Sequence, residues 1–181
     1  MANANVSEVI NDLRAQKIDF GIVLLPRSER GVLGTELKQK LLFESQFVIA
    51  CSGQSELAQR ELLSAEDIRK YPFVLHTDPL ILRSLRQIFA DTGFPKVLSY
   101  SNDNSLIKQM VASGQALSVY TKHLEKADPR VAKGEIVLKP FACNMHLNQC
   151  DFLCVYNAKK QLSSVESDFL RQLTEITARQ V

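Results

Sequence analysis

Apolar residues recur at Val6, Val9, Ile10 and Leu13, the i, i+3, i+4, i+7 spacing of a helix with one buried face, and Asn5 stands where such a helix is capped. The spacing predicts a helix over 6–17. Residues 20–25, Phe-Gly-Ile-Val-Leu-Leu, are a continuous apolar run closed by Pro26, which predicts a strand buried on both faces of a parallel sheet. A polar loop with Ser28, Gly31 and Gly34 follows over 27–34. Residues 37–51 hold two apolar groups split by Glu44-Ser45-Gln46 and read as extended chain. The loop Ser52-Gly53-Gln54-Ser55 then marks a lobe boundary.

From Ser64-Ala65-Glu66-Asp67, a capped helix start, the alternation becomes regular. That helix must end before Tyr71-Pro72, because a proline disfavours helical conformation in the residue ahead of it. Next come a strand at 73–76, a helix at 79–91 with Pro79 in its first turn and Gly93 beyond its end, and a strand at 96–100. A helix at 104–113 with Gly114 as its stop and a strand at 116–120 complete a βαβαβ pattern, the mark of an α/β lobe with a largely parallel sheet. Strands at 135–138 and 149–156 follow, then a helix at 163–179 carrying Val165, Phe169, Leu173 and Ile176 on one face. There is no internal repeat.

Composition adds exclusions. With 45% of 181 residues hydrophobic the chain can bury a substantial core. No apolar run approaches the roughly 20 residues that cross a bilayer, and the opening residues lack the basic and apolar regions of a secretory signal. A cytoplasmic protein without membrane contact is the expectation. The 22 basic and 20 acidic residues are scattered in both signs, so the chain alone offers no electropositive footprint for DNA. Cys51, Cys143, Cys150 and Cys154 are expected as reduced thiols.

Enzyme signatures are missing: no Gly-x-Ser-x-Gly, no phosphate-binding loop ending in Gly-Lys-Ser/Thr, no His-Glu-x-x-His. Gly31-Val32-Leu33-Gly34 reads as a turn. Cys143, His146, Cys150 and Cys154 invite a zinc reading, but their irregular spacing lacks paired Cys-x-x-Cys knuckles, and cysteines buried as small hydrophobes fit better. Neither metal nor cofactor is expected. In open α/β sheets ligands lie beyond the carboxyl ends of strands, where helix N-termini present N–H groups. Three such ends are His76-Thr77-Asp78, Ser101-Asn102-Asp103-Asn104-Ser105, and Tyr120-Thr121. Their small polar side chains suit a small anionic or polar effector. Capping and turn formation account for the same residues without any ligand.

Order and local phrase together carry a resemblance. The segment 13–23, Leu-Arg-Ala-Gln-Lys-Ile-Asp-Phe-Gly-Ile-Val, followed by 41–50, Leu63-Ser64-Ala65-Glu66-Asp67-Ile68 and Tyr71-Pro72-Phe73-Val74-Leu75, resembles the effector-binding domain of LysR-type bacterial transcriptional regulators. The clearest stretch is 105–120, where Ala116 stands in place of the family's second glycine and Tyr120 in place of its proline. The resemblance implies a two-lobed, periplasmic-binding-protein-like α/β fold with largely parallel sheets, residues 1–51 with 157–181 forming lobe I and 52–156 lobe II. It implies sensing of a small-molecule effector without catalysis, homo-oligomers, and control of transcription through a DNA-binding domain absent from this chain. The family's sensing domain opens with a strand, a helix and a second strand ahead of the segment resembling 5–23. Lobe I is therefore expected to be incomplete, leaving strand 20–25 with an unpaired edge and an uncovered face, and Val23 and Leu24 buried by self-association. The alternative is a periplasmic-type small-molecule binding protein of the same fold; an enzyme on that fold is the weakest reading.

Overall fold

Asn5 and Glu8 exchange hydrogen bonds: the Asn5 Oδ1 accepts the Glu8 N–H at 2.9 Å and the Glu8 carboxylate accepts the Asn5 N–H at 3.0 Å. This capping box starts α1, Val6–Arg14, whose Val6, Ile10 and Leu13 are buried. The computed structural model describes residues 5–123 and 128–178. The chain forms two compact units, Met1–Ser45 with Gln149–Val181, and Gln46–Asn148. The loop at 52–55, used as the boundary in the sequence reading, lies inside the second unit. The passages between units fall within or beside continuous strands, where composition does not change.

In the first unit α1 packs on β1, Gly21–Pro26. The approach is close, for a Cβ on Gly21 would sit 2.3 Å from Val9 Cγ1. A 3-10 turn, Arg27–Leu33, and the long strand β2, Leu37–Ser52, follow. The late strand β7, Gln149–Asn157, lies between β1 and β2. It pairs β1 antiparallel from Gly21↔Val155 to Pro26↔Cys150. Two expectations for this strand are thereby corrected. It runs antiparallel to its neighbour instead of lying inside a parallel sheet, and Val23 is already buried within the chain, with Leu24 half-buried. Its other edge carries no strand among the described residues, and Ile22 is 53% exposed. An apolar run of six fits an edge strand covered on one face as well as a central one. The strand buried along nearly its whole length is β7.

The last helix, α6, Ser164–Ala178, lays Leu170 and Leu173 against the cluster of Leu42, Phe152 and Cys154. Val165, Phe169 and Ile176 of the anticipated apolar face stay exposed.

The second unit contains the expected βαβ. Strands β3, Phe73–His76, and β4, Val97–Ser101, are parallel and joined by α3, Pro79–Ile88. The strand β5, Ser118–Thr121, continues this arrangement only at its entry, where Leu117 bridges Phe73 in parallel. The Ser118 hydroxyl then donates to the Val74 carbonyl at 2.7 Å. Thereafter β5 pairs antiparallel with β2, Phe47↔Thr121 to Ala50↔Ser118. The strand β6, Ile136–Lys139, pairs β2 antiparallel too, Ile49↔Lys139 to Ser52↔Ile136. The sheets are thus mixed, not largely parallel: a buried strand reads alike in either direction, and β2 enters against β5. Two short helices, α2 (Ala65–Arg69) and α5 (Pro129–Ala132), complete the unit with α4, Asn104–Ala112. The α4 residues Ile107 and Val111 pack on Ala50, Val74, Ala116 and Ile136.

Candidate functional site

The ends of β3 and β4 meet. His76 is in register with Ser101, and the Thr77 N–H donates to the Ser101 carbonyl at 3.2 Å. The adjoining helix starts are capped from within the chain. Buried Asp78 accepts the Leu80 and Ile81 N–H groups at 2.9 and 3.2 Å, and the His76 Nδ1 accepts the Asp78 N–H at 3.1 Å. At α4, Asp103 accepts from Ser105 and Leu106 at 2.8 and 3.3 Å, while the Ser101 hydroxyl accepts the Asp103 N–H at 3.0 Å. The structure therefore assembles His76, Thr77, Asp78, Ser101 and Asn102, but much of their hydrogen-bonding capacity holds the turns. The exposed side chains of Thr77, Asn102, Asn104 and Ser105 are the groups left facing solvent there. Tyr120 and Thr121 stand on β5, which has turned towards β2: Thr121 is buried opposite Phe47, and the Lys108 ammonium lies 6.0 Å from the Tyr120 ring centroid.

Beyond the end of β5 lies a cavity of about 270 Å³. The Lys122 N–H donates to the Gln46 carbonyl at 3.1 Å, which brings the end of β5 beside β2 and places both residues in the cavity lining. Val48, Val131, Ile136, Leu138 and Pro140 give it apolar walls, Gln46 and Lys122 its polar groups. Such a lining, mostly apolar with few polar groups, is that of a small-molecule site, and its volume is just below the roughly 300 Å³ at which drug-sized pockets begin. Sequence reasoning missed it because antiparallel pairing gathers residues roughly 70 to 90 positions apart in the chain. Lys122 alone was within reach, one residue past Thr121.

A second polar cluster, also unanticipated, occupies the first unit. Asp151 is fully buried in β7 and accepts the Arg27 Nε on Oδ1 at 3.0 Å and on Oδ2 at 3.2 Å, and Arg30 donates to Oδ2 as well. Arg27 also meets Glu44 and Gln149. Asp151 raises the Arg27 pKa through its hydrogen bond, against the cost of burial. The one signal was an aspartate inside the apolar run 150–156.

Burial pushes the thiols upward, Cys51 and Cys154 to about 11 and Cys150 to about 12, so all three are protonated at neutral pH and unreactive. Among the described residues no group of three His, Cys, Asp or Glu could hold a metal ion.

The sequence profile of the LysR substrate binding domain matches residues 1–178. No curated protein matches the chain. Among solved structures it is similar to the CcmR regulatory domain of Synechocystis in complex with 2-PG: 18% identity, TM-score 0.76, covering 96% of this chain and 80% of that one. It is also similar to the effector binding domain of QuiR in complex with shikimate, at 16% identity and TM-score 0.73, covering 97% of this chain and 79% of that one. HinK, a LysR family transcriptional regulator from Pseudomonas aeruginosa, is 16% identical with TM-score 0.74 over 96% of this chain. The chain spans 58% of the length of HinK and 59% of a second LysR family chain from the same organism.

Proposed function

Because the chain belongs to the LysR substrate binding domain family, we propose that it senses a small polar or anionic metabolite in the bacterial cytoplasm. It acts as a homo-oligomer and reports to a DNA-binding domain lying outside these 181 residues. The profile match over 1–178 carries this reading. A cavity of metabolite size at the carboxyl end of β5, with a lysine among its lining residues, supports it. A metabolite bound there shifts the protein between conformations in proportion to its difference in affinity for them, and no covalent step is needed. Two similar domains were solved with 2-PG and with shikimate; shikimate is a carboxylate of the size this cavity admits.

The test is calorimetric titration of the purified chain with shikimate and a panel of small carboxylates and phosphate esters. Lys122→Ala is expected to weaken binding by about 1.5–3 kcal/mol, the worth of a hydrogen bond to a charged group, and Ser101→Ala or Asn102→Ala by about 0.5–1.5 kcal/mol. A bound metabolite whose affinity survives all three replacements, with the fold intact, places the site elsewhere. Absence of binding across the panel overturns the sensing reading.

A further inference from the structure

The cavity past the end of β5 has a polar end and an apolar end, and strand register decides which is which. Residues opposite each other in an antiparallel pair point to the same face. Along β2, Gln46, Val48, Ala50 and Ser52 alternate onto one face. Lys122, one step past the pair Phe47↔Thr121, stands opposite Gln46 and donates its N–H to the Gln46 carbonyl. Leu138 and Ile136 of β6 stand opposite Ala50 and Ser52. The lining therefore runs from Gln46 and Lys122 at one end, past Val48, to Leu138 and Ile136 at the other. Val131 of α5 packs on the cluster of Ala50 and Ile136 and closes the apolar end. The polar end carries a single cation. None of the described lining residues is acidic, and among the described residues the Lys122 ammonium has no ion pair or hydrogen bond. Lys108, beside the Tyr120 ring, is by contrast held by Asp128 at 2.6 Å.

We propose that this cavity takes a monocarboxylate with a hydrocarbon body, its carboxylate on Lys122 and the Gln46 carboxamide, its carbon skeleton along Val48, Leu138, Ile136 and Val131. This rests on the sensing reading above and narrows the metabolite to one that is charged at one end and apolar along the rest. Two arguments fix the class. One ammonium and one carboxamide satisfy a carboxylate, whereas a phosphate monoester brings nearly two charges and three acceptor oxygens. Such a group calls for further cations or the fork of an arginine, and the described lining has no arginine. A hydroxyl on the ligand's body would lie against valine, leucine and isoleucine, where it gives up its hydrogen bonds to water and gains none. Shikimate carries three hydroxyls on its ring and is disfavoured here, although the cavity admits its size.

The experiment is calorimetric titration of the full 181-residue chain with matched probes. The first is the cyclohexenecarboxylate that has the ring, double bond and carboxylate of shikimate without its hydroxyls. The others are shikimate itself, the uncharged amide of the first probe, and phenyl phosphate. The hydrocarbon acid is expected to bind at least about tenfold tighter than each of the other three. Lys122→Gln, at an exposed position, is expected to bring the acid and its amide to equal affinity. Val131→Asn, which puts a polar group at the apolar end, is expected to cut the preference for the acid over shikimate to about threefold or less. The lysine variant touches no buried group and keeps the test if the asparagine variant fails to fold. Shikimate or phenyl phosphate binding as tightly as the hydrocarbon acid overturns the proposed class and leaves the sensing reading intact. So does a carboxylate or phosphate ester of the wider panel that binds where the hydrocarbon acid does not. A preference for acid over amide that is unchanged in Lys122→Gln, or for acid over shikimate that is unchanged in folded Val131→Asn, overturns the placement in this cavity. If no compound binds, the proposal and the sensing reading fall together.

Discussion

The two units place their carboxylates differently. In Gln46–Asn148 they sit at helix starts: Asp67, Asp78, Asp103 and Asp128 each accept backbone N–H groups two or three residues away. In the other unit the most deeply buried carboxylate, Asp151, binds arginines 124 and 121 positions distant, and Asp19 meets Lys160 across 141 positions. Glu36 likewise reaches back to Arg14 on α1. One unit is organised from its neighbours in sequence, the other by the closing of the chain's late segments on its early ones. A single charge removed from the second kind of arrangement leaves partners stranded, whereas a cap removed from the first exposes backbone to water.

The largest effect is therefore expected at Asp151. Its side chain is fully buried, and Arg27, itself only 29% exposed, loses its principal partner if the carboxylate goes. Asp151→Ala is expected to destabilise the protein by about 3–5 kcal/mol, the cost of breaking a buried ion pair from one side, read as a lower midpoint in urea denaturation. Replacing Asp151 and Arg27 together by residues of matching apolar volume should recover much of that loss. A single variant within about 1 kcal/mol of wild type, the worth of a surface ion pair, would show that water reaches the cluster and that the contrast between the units is false.

The same division explains what was legible. The cap at Asn5, the βαβ of β3, α3 and β4, and the stop at Gly114, at positive φ, follow from spacing and residue type within a few positions, although α3 ends at Ile88, ahead of the stop expected at Gly93. The direction of β1 does not, because six apolar residues satisfy a parallel core strand and an antiparallel edge alike. The strand-end residues His76 to Asp78 and Ser101 to Ser105 could be named as a polar group; that their carboxylates cap the helices also followed from local rules. The cavity beside Lys122 depends on β5 and β6 flanking β2, information carried by pairing across the chain and by no local motif. The Asp151 cluster was hidden for the same reason.

Within the second unit the comparison sharpens at Gly53, where local order meets a tight backbone crossing. Its N–H donates to the Glu135 carbonyl at 2.9 Å, and a Cβ there would lie 1.9 Å from the Gly134 carbonyl oxygen. Backbone cannot rotate away as a side chain can, so Gly53→Ala is expected to cost about 2–3 kcal/mol, in the upper range for overpacking. The caps come next. Asp78→Ala, at a buried cap, should cost about 1–2 kcal/mol, and Asp103→Ala, at an exposed one, about 0.5–1 kcal/mol. Equal losses at the two caps would mean that burial adds nothing to capping here. A cap loss matching that of Asp151 would erase the difference between the units.

The smallest effect, and the one that separates the units by pH, is expected at Glu166. Its carboxylate accepts from the Ser163 N–H and hydroxyl, both at 2.8 Å, and pairs with Lys160. Lys160 foremost, then the Ser163 N–H, lowers its pKa from 4.5 to about 2. A carboxylate whose folded pKa lies below its unfolded one contributes fully above the unfolded value and loses that contribution as pH falls towards the folded one. The hold on the start of α6 is thus complete above pH 4.5 and disappears on the way down to about 2. The groups are close to solvent, so the contribution is modest and weakened by salt. Amide hydrogen exchange at the first turn of α6, followed from neutral pH into this window and corrected for intrinsic rates, should show protection falling in wild type. In Glu166→Gln, which keeps an acceptor but does not titrate, protection should start lower and stay nearly flat. Exchange in α3 reports the second unit and should be the same in both proteins. An acid response at α6 that persists unchanged in the glutamine variant would assign it to other carboxylates, Asp19 on Lys160 first among them.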